Sequence, residues 1–331
     1  MKKIVICFSV IFIICILILN ETFIRYIIGR IEEKNENYGN AIQIYSKLNH
    51  YKDAQNRKVN LIKWSNLHRV ETSISNAIVL NQDGSVTLLR NRDGEFFQVD
   101  GWKNITSVSS DGVNIAGLKA DGTVEVVGDN SEGQCDTDHL RDITAIDIKY
   151  CMLVALDSQG QITIVGKNSE KYQPIVDTWQ NVISVATSGE HIVALTSQGT
   201  VLSCGNNERG QCDVTAWNNI VQVDANSFYT VGLTHDGTVL IAGSAGLTSE
   251  IIPIDTTKWN KIVRISAANY HCIGLKKNGT VVAVGQNENN ECEVDDWKDI
   301  VEINGGIFDT IGIKKDGSYL STMEAWDQMQ Q

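Results

Sequence analysis

Proline is nearly absent from this 331-residue chain: Pro174 and Pro253 stand against 27 glycines. Such a composition excludes a proline-rich linker or low-complexity tract and points to ordered structure with many tight turns. The eight cysteines include no Cys-x-x-Cys pair, which argues against a structural zinc site. There is no Gly-x-Ser-x-Gly and no kinase or metalloprotease signature. The body also lacks basic charge. Residues 61–331 carry 19 Lys/Arg against 35 Asp/Glu, while residues 1–60 carry nine against five. Nucleic-acid binding rests on a basic face that neutralises phosphates, so nucleic acid is disfavoured as a partner. A basic protein partner is not.

Long apolar runs are confined to the N-terminus. "IVICFSVIFIICILIL" (residues 4–19) is apolar but for Ser9 and follows Lys2 and Lys3. It is a little short of the roughly 20 residues of a membrane helix, but apolar character resumes in "FIRYII" (23–28). No small-residue cleavage site follows, and Cys15 is preceded by Ile13 and Ile14, which argues against a lipoprotein site. Residues 1–26 therefore read as an uncleaved signal anchor, a single-pass membrane helix with a cleaved signal peptide as its rival. The short charged tail favours an inside N-terminus, which places the body on the extracellular side of the cell membrane.

Residues 27–63 read as a short helical hairpin stalk. Tyr38, Ala41, Ile42, Tyr45, Leu48 and Tyr51 fall at helical spacing, Asn49-His50 marks a break, and a second helix starts near Lys52. The pattern resembles one tetratricopeptide-like hairpin. A single unit has no stacking neighbour to build a peptide groove, so it reads as a spacer.

The rest, 64–331, is periodic. A turn dipeptide recurs at Asp83-Gly84, Asp121-Gly122, Gln159-Gly160, Gln198-Gly199, Asp236-Gly237, Asn278-Gly279 and Asp316-Gly317, at spacings of 38, 38, 39, 38, 42 and 38. A second marker keeps the same period: Trp64, Trp102, Leu140, Trp179, Trp217, Trp259 and Trp297. Within "WNNIVQVDANSFYTVGLTHDGTVLIAG" (217–243), three stretches alternate as strands, and the Asp-Gly between two of them is a two-residue hairpin signal that asks for positive φ at both residues. Short strands without helices in seven copies predict an all-β, seven-bladed β-propeller of about 38-residue repeats. A β-solenoid is the alternative.

"HIVALTSQGTVLSCGNNERGQCDV" and "NIAGLKADGTVEVVGDNSEGQCDT" resemble repeats of the regulator of chromosome condensation family, over residues 64–320. The resemblance implies a seven-bladed propeller. The unit length is closer to compact bacterial members, one of which is a secreted β-lactamase inhibitor. Fold implies function poorly. The name-giving branch implies guanine-nucleotide exchange, which fits an acidic, membrane-tethered body badly.

Residues 205–211 approach a phosphate loop but lack its Lys and Ser/Thr, and the stretch recurs as "GDNSEGQC" (128–135) and, degraded, as "GQNENNEC" (285–292). It reads as a structural turn whose Asn and Gln amides bond backbone. Cys135, Cys212 and Cys292 share one repeat position, too far apart for disulfides, and Cys204 aligns with core residues. A local Cys204–Cys212 bridge stays open. His191 and His271 share a slot that holds Asn76, Asn114, Met152, Tyr229 and Asp309 in sibling repeats, which reads as structural. The acids Glu291, Glu293, Asp295 and Asp296 read as a solvated rim. No cofactor or metal is implied.

Repeats one, three and five abandon the loop and bring Phe96, Phe97, Tyr172, Pro174, Ile251, Ile252 and Pro253 instead. If exposed, these would suit a partner; Phe96, Phe97, Tyr172, Ile251 and Ile252 are the candidate partner-binding residues. The last repeat is short, and the Trp64 segment is expected to lend it a strand. The expected function is non-catalytic binding of a protein or cell-surface partner, with inhibition of an extracellular enzyme as the alternative.

Overall fold

The computed structural model describes residues 23–323, apart from 35–37, 49–50, 66–69, 74–75, 92–96 and 246–251. The expected anchor segment 1–22 lies outside the described residues. Among those described, no helix is long and apolar enough to cross a membrane. The chain divides into two compact units at Ser65/Asn66.

The first unit is helical. α1 covers 23–34, α2 is Tyr38–Ser46 and α3 is Ala54–Ser65. Ala41, Ile42, Tyr45, Leu48, Ala54 and Leu61 are buried, as helical spacing predicts. Gly29 of α1 meets the Tyr45 ring so closely that a Cβ there would lie 2.7 Å from Cε1. Tyr45 donates to Glu33 at 2.9 Å, and Arg57 pairs with the same carboxylate at 2.8 Å. Trp64, the first member of the periodic series, lies in α3.

The second unit contains seven three-stranded antiparallel sheets, each built from consecutive strands in the order first–second–third. The blades span 70–91, 105–128, 143–166, 182–205, 220–243, 262–285 and 300–321. First strands touch one another right round the circle, with Val70–Thr72 of blade 1 against Ile300–Gly305 of blade 7. They are therefore the inner strands, and the ring is closed. Among the described residues, blade 7 takes its three strands from 300–321, with no strand lent by the N-terminal segment, of which 66–69 lie outside the described residues. Closure is made by side chains instead: the Thr72 amide donates to Asn304 Oδ1 at 3.0 Å, and the Thr72 hydroxyl to Asp309 Oδ2 at 2.8 Å.

The hairpin turns differ in detail from the two-residue form. Only the glycines take positive φ, from 79° at Gly84 to 88° at Gly317. In blade 4 the Gly199 amide bonds the Thr196 carbonyl and the Thr196 amide bonds the Thr200 carbonyl, a type I turn closed by a glycine bulge. The residue before glycine stays right-handed, which explains how Gln159 and Gln198 serve there. A helix, α4 (Ser169–Val176), leaves the outer strand of blade 3, where the sequence suggested only a loop.

Candidate functional site

His191 begins the middle strand of blade 4 opposite Gly205 at the end of the outer strand. The inner-to-middle turns and the loops leaving the outer strands therefore share one face, the loop face. The glycine turns occupy the opposite face.

Three of those loops are copies of one hydrogen-bonded turn. Asn130, Asn207 and Asn287 accept from the amides of Cys135, Cys212 and Cys292 at 2.8, 2.7 and 2.8 Å. Their amide nitrogens donate to Asp136, Asp213 and Glu293. The three thiols each donate to the carbonyl six residues back, at 3.2 to 3.3 Å. Gln134, Gln211 and Glu291 are buried and accept a loop amide at 3.0, 2.8 and 2.8 Å. Polar atoms that a nucleotide would need are thus spent on the loop itself. Glu291, read from the sequence as a solvated rim acid, lies inside the turn.

Cys204 and Cys212 are both free, and Cys204 packs in the core shared by blades 3 and 4. Burial pushes the Cys204 thiol up to about 12 and Cys292 likewise to about 12. Such thiols carry little thiolate at neutral pH. Among the described residues, no group of three or more His, Cys, Asp or Glu could hold a metal ion.

The paired histidines are inter-blade fasteners. The Thr230 hydroxyl donates to the Gln211 carbonyl at 2.8 Å and lies 2.9 Å from His191 Nε2, which must then carry the proton. Ser188 Oγ lies 2.8 Å from His191 Nδ1 and fits as its donor. His271 repeats the pattern with Thr310 and the Glu291 carbonyl. Burial lowers both imidazoles to about 4, so both are neutral.

The anticipated partner residues fare differently. Phe96 and Ile251 lie outside the described residues. Phe97 is buried in the cluster of Ile78, Val99 and Trp102, and Tyr172 is buried with its hydroxyl on the Glu190 carbonyl at 2.9 Å. Their expected exposure is corrected: both rings close gaps in the ring of blades, where an apolar side chain gains more than in water. Ile252 is half-buried and bridges to Ala245. Pro174 is exposed inside α4 and Pro253 is exposed beyond the bridge.

What the sequence reading missed is the centre of the loop face. One position near the end of each inner strand is occupied in turn by Glu71, Ser109, Asp147, Ala186, Asp224, Ser266 and Asn304. Five of them accept an inner-strand amide of the next blade: Ser109 from Ile148, Asp147 from Thr187, Asp224 from Ala267, Ser266 from Gly305 and Asn304 from Thr72, at 2.8 to 3.1 Å. Glu71, Asp147, Asp224, Ser266 and Asn304 of this series border a central cavity of about 160 Å³. Lys149 reaches into it, 3.2 Å from Glu71 and 2.8 Å from the Ser110 carbonyl. Burial alone would lower this lysine, but Glu71, Asp147 and Asp224 overcome that and hold it above its usual range, so it stays charged.

On the same face, the repeat slot preceding that of His191 and Asp309 is aromatic in three successive blades: half-buried Phe228, buried Tyr270 and exposed Phe308. Phe228 and Tyr270 stack at 5.5 Å between centroids, and Phe308 follows at 6.5 Å. Arg209, from the loop after blade 4, lies over Phe228 at 4.9 Å. Phe308 is 40% exposed, and Tyr150, which lines the cavity, is 47% exposed. A repeat alignment of that one slot shows the signal: Val113, Cys151 and Glu190 precede the three aromatics in the chain.

Residues 182–211, blade 4 with its loop, match the Regulator of chromosome condensation (RCC1) repeat. Yeast RCC1 (Prp20), solved bound to Kap60, is similar in structure at 15% identity and a TM-score of 0.51, over 66% of this chain and 69% of that one. The CRINKLY ectodomain of the Arabidopsis thaliana receptor kinase ACR4 is 13% identical with a TM-score of 0.57, over 76% and 93%. The entire ectodomain of the Physcomitrella patens receptor kinase CR4 is 13% identical with a TM-score of 0.60, over 77% and 73%. No curated protein sequence matches. At these identities the structural likeness shows the fold: a seven-bladed propeller of the RCC1 type, as the repeats implied.

Proposed function

We propose that this RCC1-type propeller is a non-catalytic binding protein, tethered to the cell membrane with its body outside, that holds a protein partner on its loop face. The observation that carries the reading is a pair of exposed rings on the loop face: Tyr150, which lines the central cavity, and Phe308, beside the cavity-lining Ile307. Aromatic rings set beside a concave mouth supply large contact area at little entropic cost. The yeast propeller of the same fold was solved in complex with a protein, Kap60. The non-catalytic reading is supported by neutral, fastened histidines and raised thiols. The tether is supported by the 4–19 run in the sequence and by α1, which presents Phe23, Ile24, Ile27, Ile28 and Ile31, all at least 40% exposed, directly after it.

The test is photo-crosslinking on intact cells from position 308, with exposed Val301, nearer the opposite end of its strand, as control. A discrete crosslinked protein at 308 and none at 301 is expected. No product at 308 would sink the reading. Protease accessibility of the body on the same cells tests the topology.

A further inference from the structure

We propose that α1 lies in the headgroup region of a phospholipid bilayer, with Ile24, Ile27, Ile28 and Ile31 pressed into the acyl boundary and basic side chains of the helical unit beside the phosphates. This rests on the membrane tether above and extends it: membrane contact does not end with the 4–19 run but continues through Ile31.

α1 has two working sides, and only one is used within the helical unit. Tyr26, Gly29 and Glu33 face α2 and α3: the Tyr26 hydroxyl donates to Asp53, Gly29 meets the Tyr45 ring, and Glu33 pairs with Arg57. Phe23, Ile24, Ile27, Ile28 and Ile31 form a stripe on the other side, each at least 40% exposed. These nine positions hold five of the ten exposed large apolar side chains among the described residues; the other five are spread over the propeller. Scattered apolar residues need no partner, but a contiguous stripe does.

Position in the chain and charge select the occupant. The 4–19 run ends four residues before Phe23, so a bilayer that holds the run reaches the first turn of α1. Residues 23–65 carry eight Lys/Arg against four Asp/Glu, whereas 66–331 carry 18 against 35. Two basic units brought face to face repel, while lipid phosphates attract them. Helical spacing puts Arg25 on one edge of the stripe and Arg30 and Lys34 on the other, all three exposed. Long basic side chains at such edges reach headgroups while their stems stay on apolar ground.

A second, independent observation points the same way. The Lys52 ammonium lies among three rings, 5.0 Å from the Phe23 centroid, 4.9 Å from Tyr26 and 5.4 Å from Tyr51. Aromatic rings with a lysine among them, where the chain leaves an apolar run, have the make-up of a membrane-interface belt.

The experiment reconstitutes the full chain in vesicles of phosphatidylcholine and phosphatidylglycerol, part of the phosphatidylcholine being brominated near the headgroup. An environment-sensitive fluorescent amino acid replaces Ile27, Ile31 or, as control, exposed Asn56 of α3, and circular dichroism checks that each variant folds. Emission from 27 and 31 is expected to shift to the blue and to be quenched by bromine, and emission from 56 to do neither. No quenching at 27 and 31, or equal quenching at all three sites, would overturn the proposal. A blue shift without quenching would overturn it too, since residues 4–19 or a second copy would then cover the stripe. Alkaline carbonate extraction of the same vesicles separates the two readings. A chain that resists extraction yet shows no quenching at 27 and 31 refutes the interfacial helix alone, and a chain that carbonate releases refutes the tether it rests on.

Discussion

The six-membered ring of Trp217 lies over the Cα of Gly232, so that a methyl built on the glycine would come within 2.6 Å of Trp217 Cζ3. The same relation joins Trp102 to Gly117, Trp259 to Gly274 and Trp297 to Gly312, at 2.5, 2.9 and 2.8 Å. The inner-strand lead-in of each of these four blades thus leans its indole on a bare stretch of that blade's middle strand. Blade 3 exchanges both partners for Leu140 and Ala155, whereas blade 4 keeps Trp179 against Ala194, both in one core cluster.

That last pair sets the size of the first prediction. Because Trp179 accommodates a methyl, Gly232→Ala is expected to cost only about 1 kcal/mol, by a small shift of the indole. Gly232→Val adds two more carbons against the same ring and is expected to cost about 3 kcal/mol. Denaturant midpoints at unchanged m-value are the measurement. Equal costs for the two variants would show that the ring does not set the limit.

A second prediction concerns acid. His191 and His271 have folded-state values lowered to about 4 from 6.5. The unfolded chain therefore binds more protons between those two values, and stability falls as the pH is lowered through that window, being fully present above 6.5. The loss is of the order of 3 kcal/mol for each histidine at most. Asn76 and Asn114 fill the same slot in blades 1 and 2, so His191→Asn with His271→Asn is a substitution the fold already uses. The double variant is expected to have a flatter stability profile between pH 4 and 6.5. An unchanged slope would place the acid sensitivity elsewhere.

These slots show what was legible beforehand. The period, the all-β blades, the structural role of the histidines and the recurrent loop all follow from comparing repeats, because each repeat samples one environment. Three things escaped that comparison. Tyr172 and Phe97 sit in loops with no sibling, so nothing in the sequence told whether their rings turn inward; the helix α4 is what carries Tyr172 into the core. The inner-strand latch ring mixes Glu, Ser, Asp, Ala and Asn, a set held together by backbone amides of the next blade rather than by side-chain type. The aromatic slot of Phe228, Tyr270 and Phe308 is filled so in only three adjacent blades, so it breaks the repeat instead of expressing it.

The recurrent loop carries a third prediction. Cys212 donates to the Asn206 carbonyl at 3.3 Å, and a serine hydroxyl can make the same bond, so Cys212→Ser is expected to change stability by less than about 1 kcal/mol. Asn207→Ala removes the acceptor of the Cys212 amide and the donor to Asp213, and is expected to cost more, about 1–2 kcal/mol. After unfolding without reductant, Cys204 and Cys212 should both take up an alkylating label, read by peptide mass spectrometry. Protection of both would restore the disulfide.

The latch ring carries the fourth. Asn304 closes the circle: its Oδ1 accepts from the Thr72 amide at 3.0 Å, and its Nδ2 donates to Glu71 at 3.2 Å. Asn304→Ala leaves buried partners on both sides and is expected to cost about 2 kcal/mol. Ala186 is the opposite case, the one latch position with no polar atom, between blades 4 and 5. The amide it would serve, that of Ala225, is held instead by its own neighbour Asp224 at 2.8 Å. Ala186→Asn offers that amide a partner without adding charge to an acidic interior, and is expected to be neutral or to stabilise by about 1 kcal/mol. The two seams share no residue, so the double variant should show the sum of the single effects within about 0.5 kcal/mol. A circle held at one strained seam would behave otherwise: strengthening the Ala186 seam would then offset the loss at Asn304. Additivity in guanidinium denaturation therefore reports whether closure is shared among the latches or concentrated where the first and last blades meet.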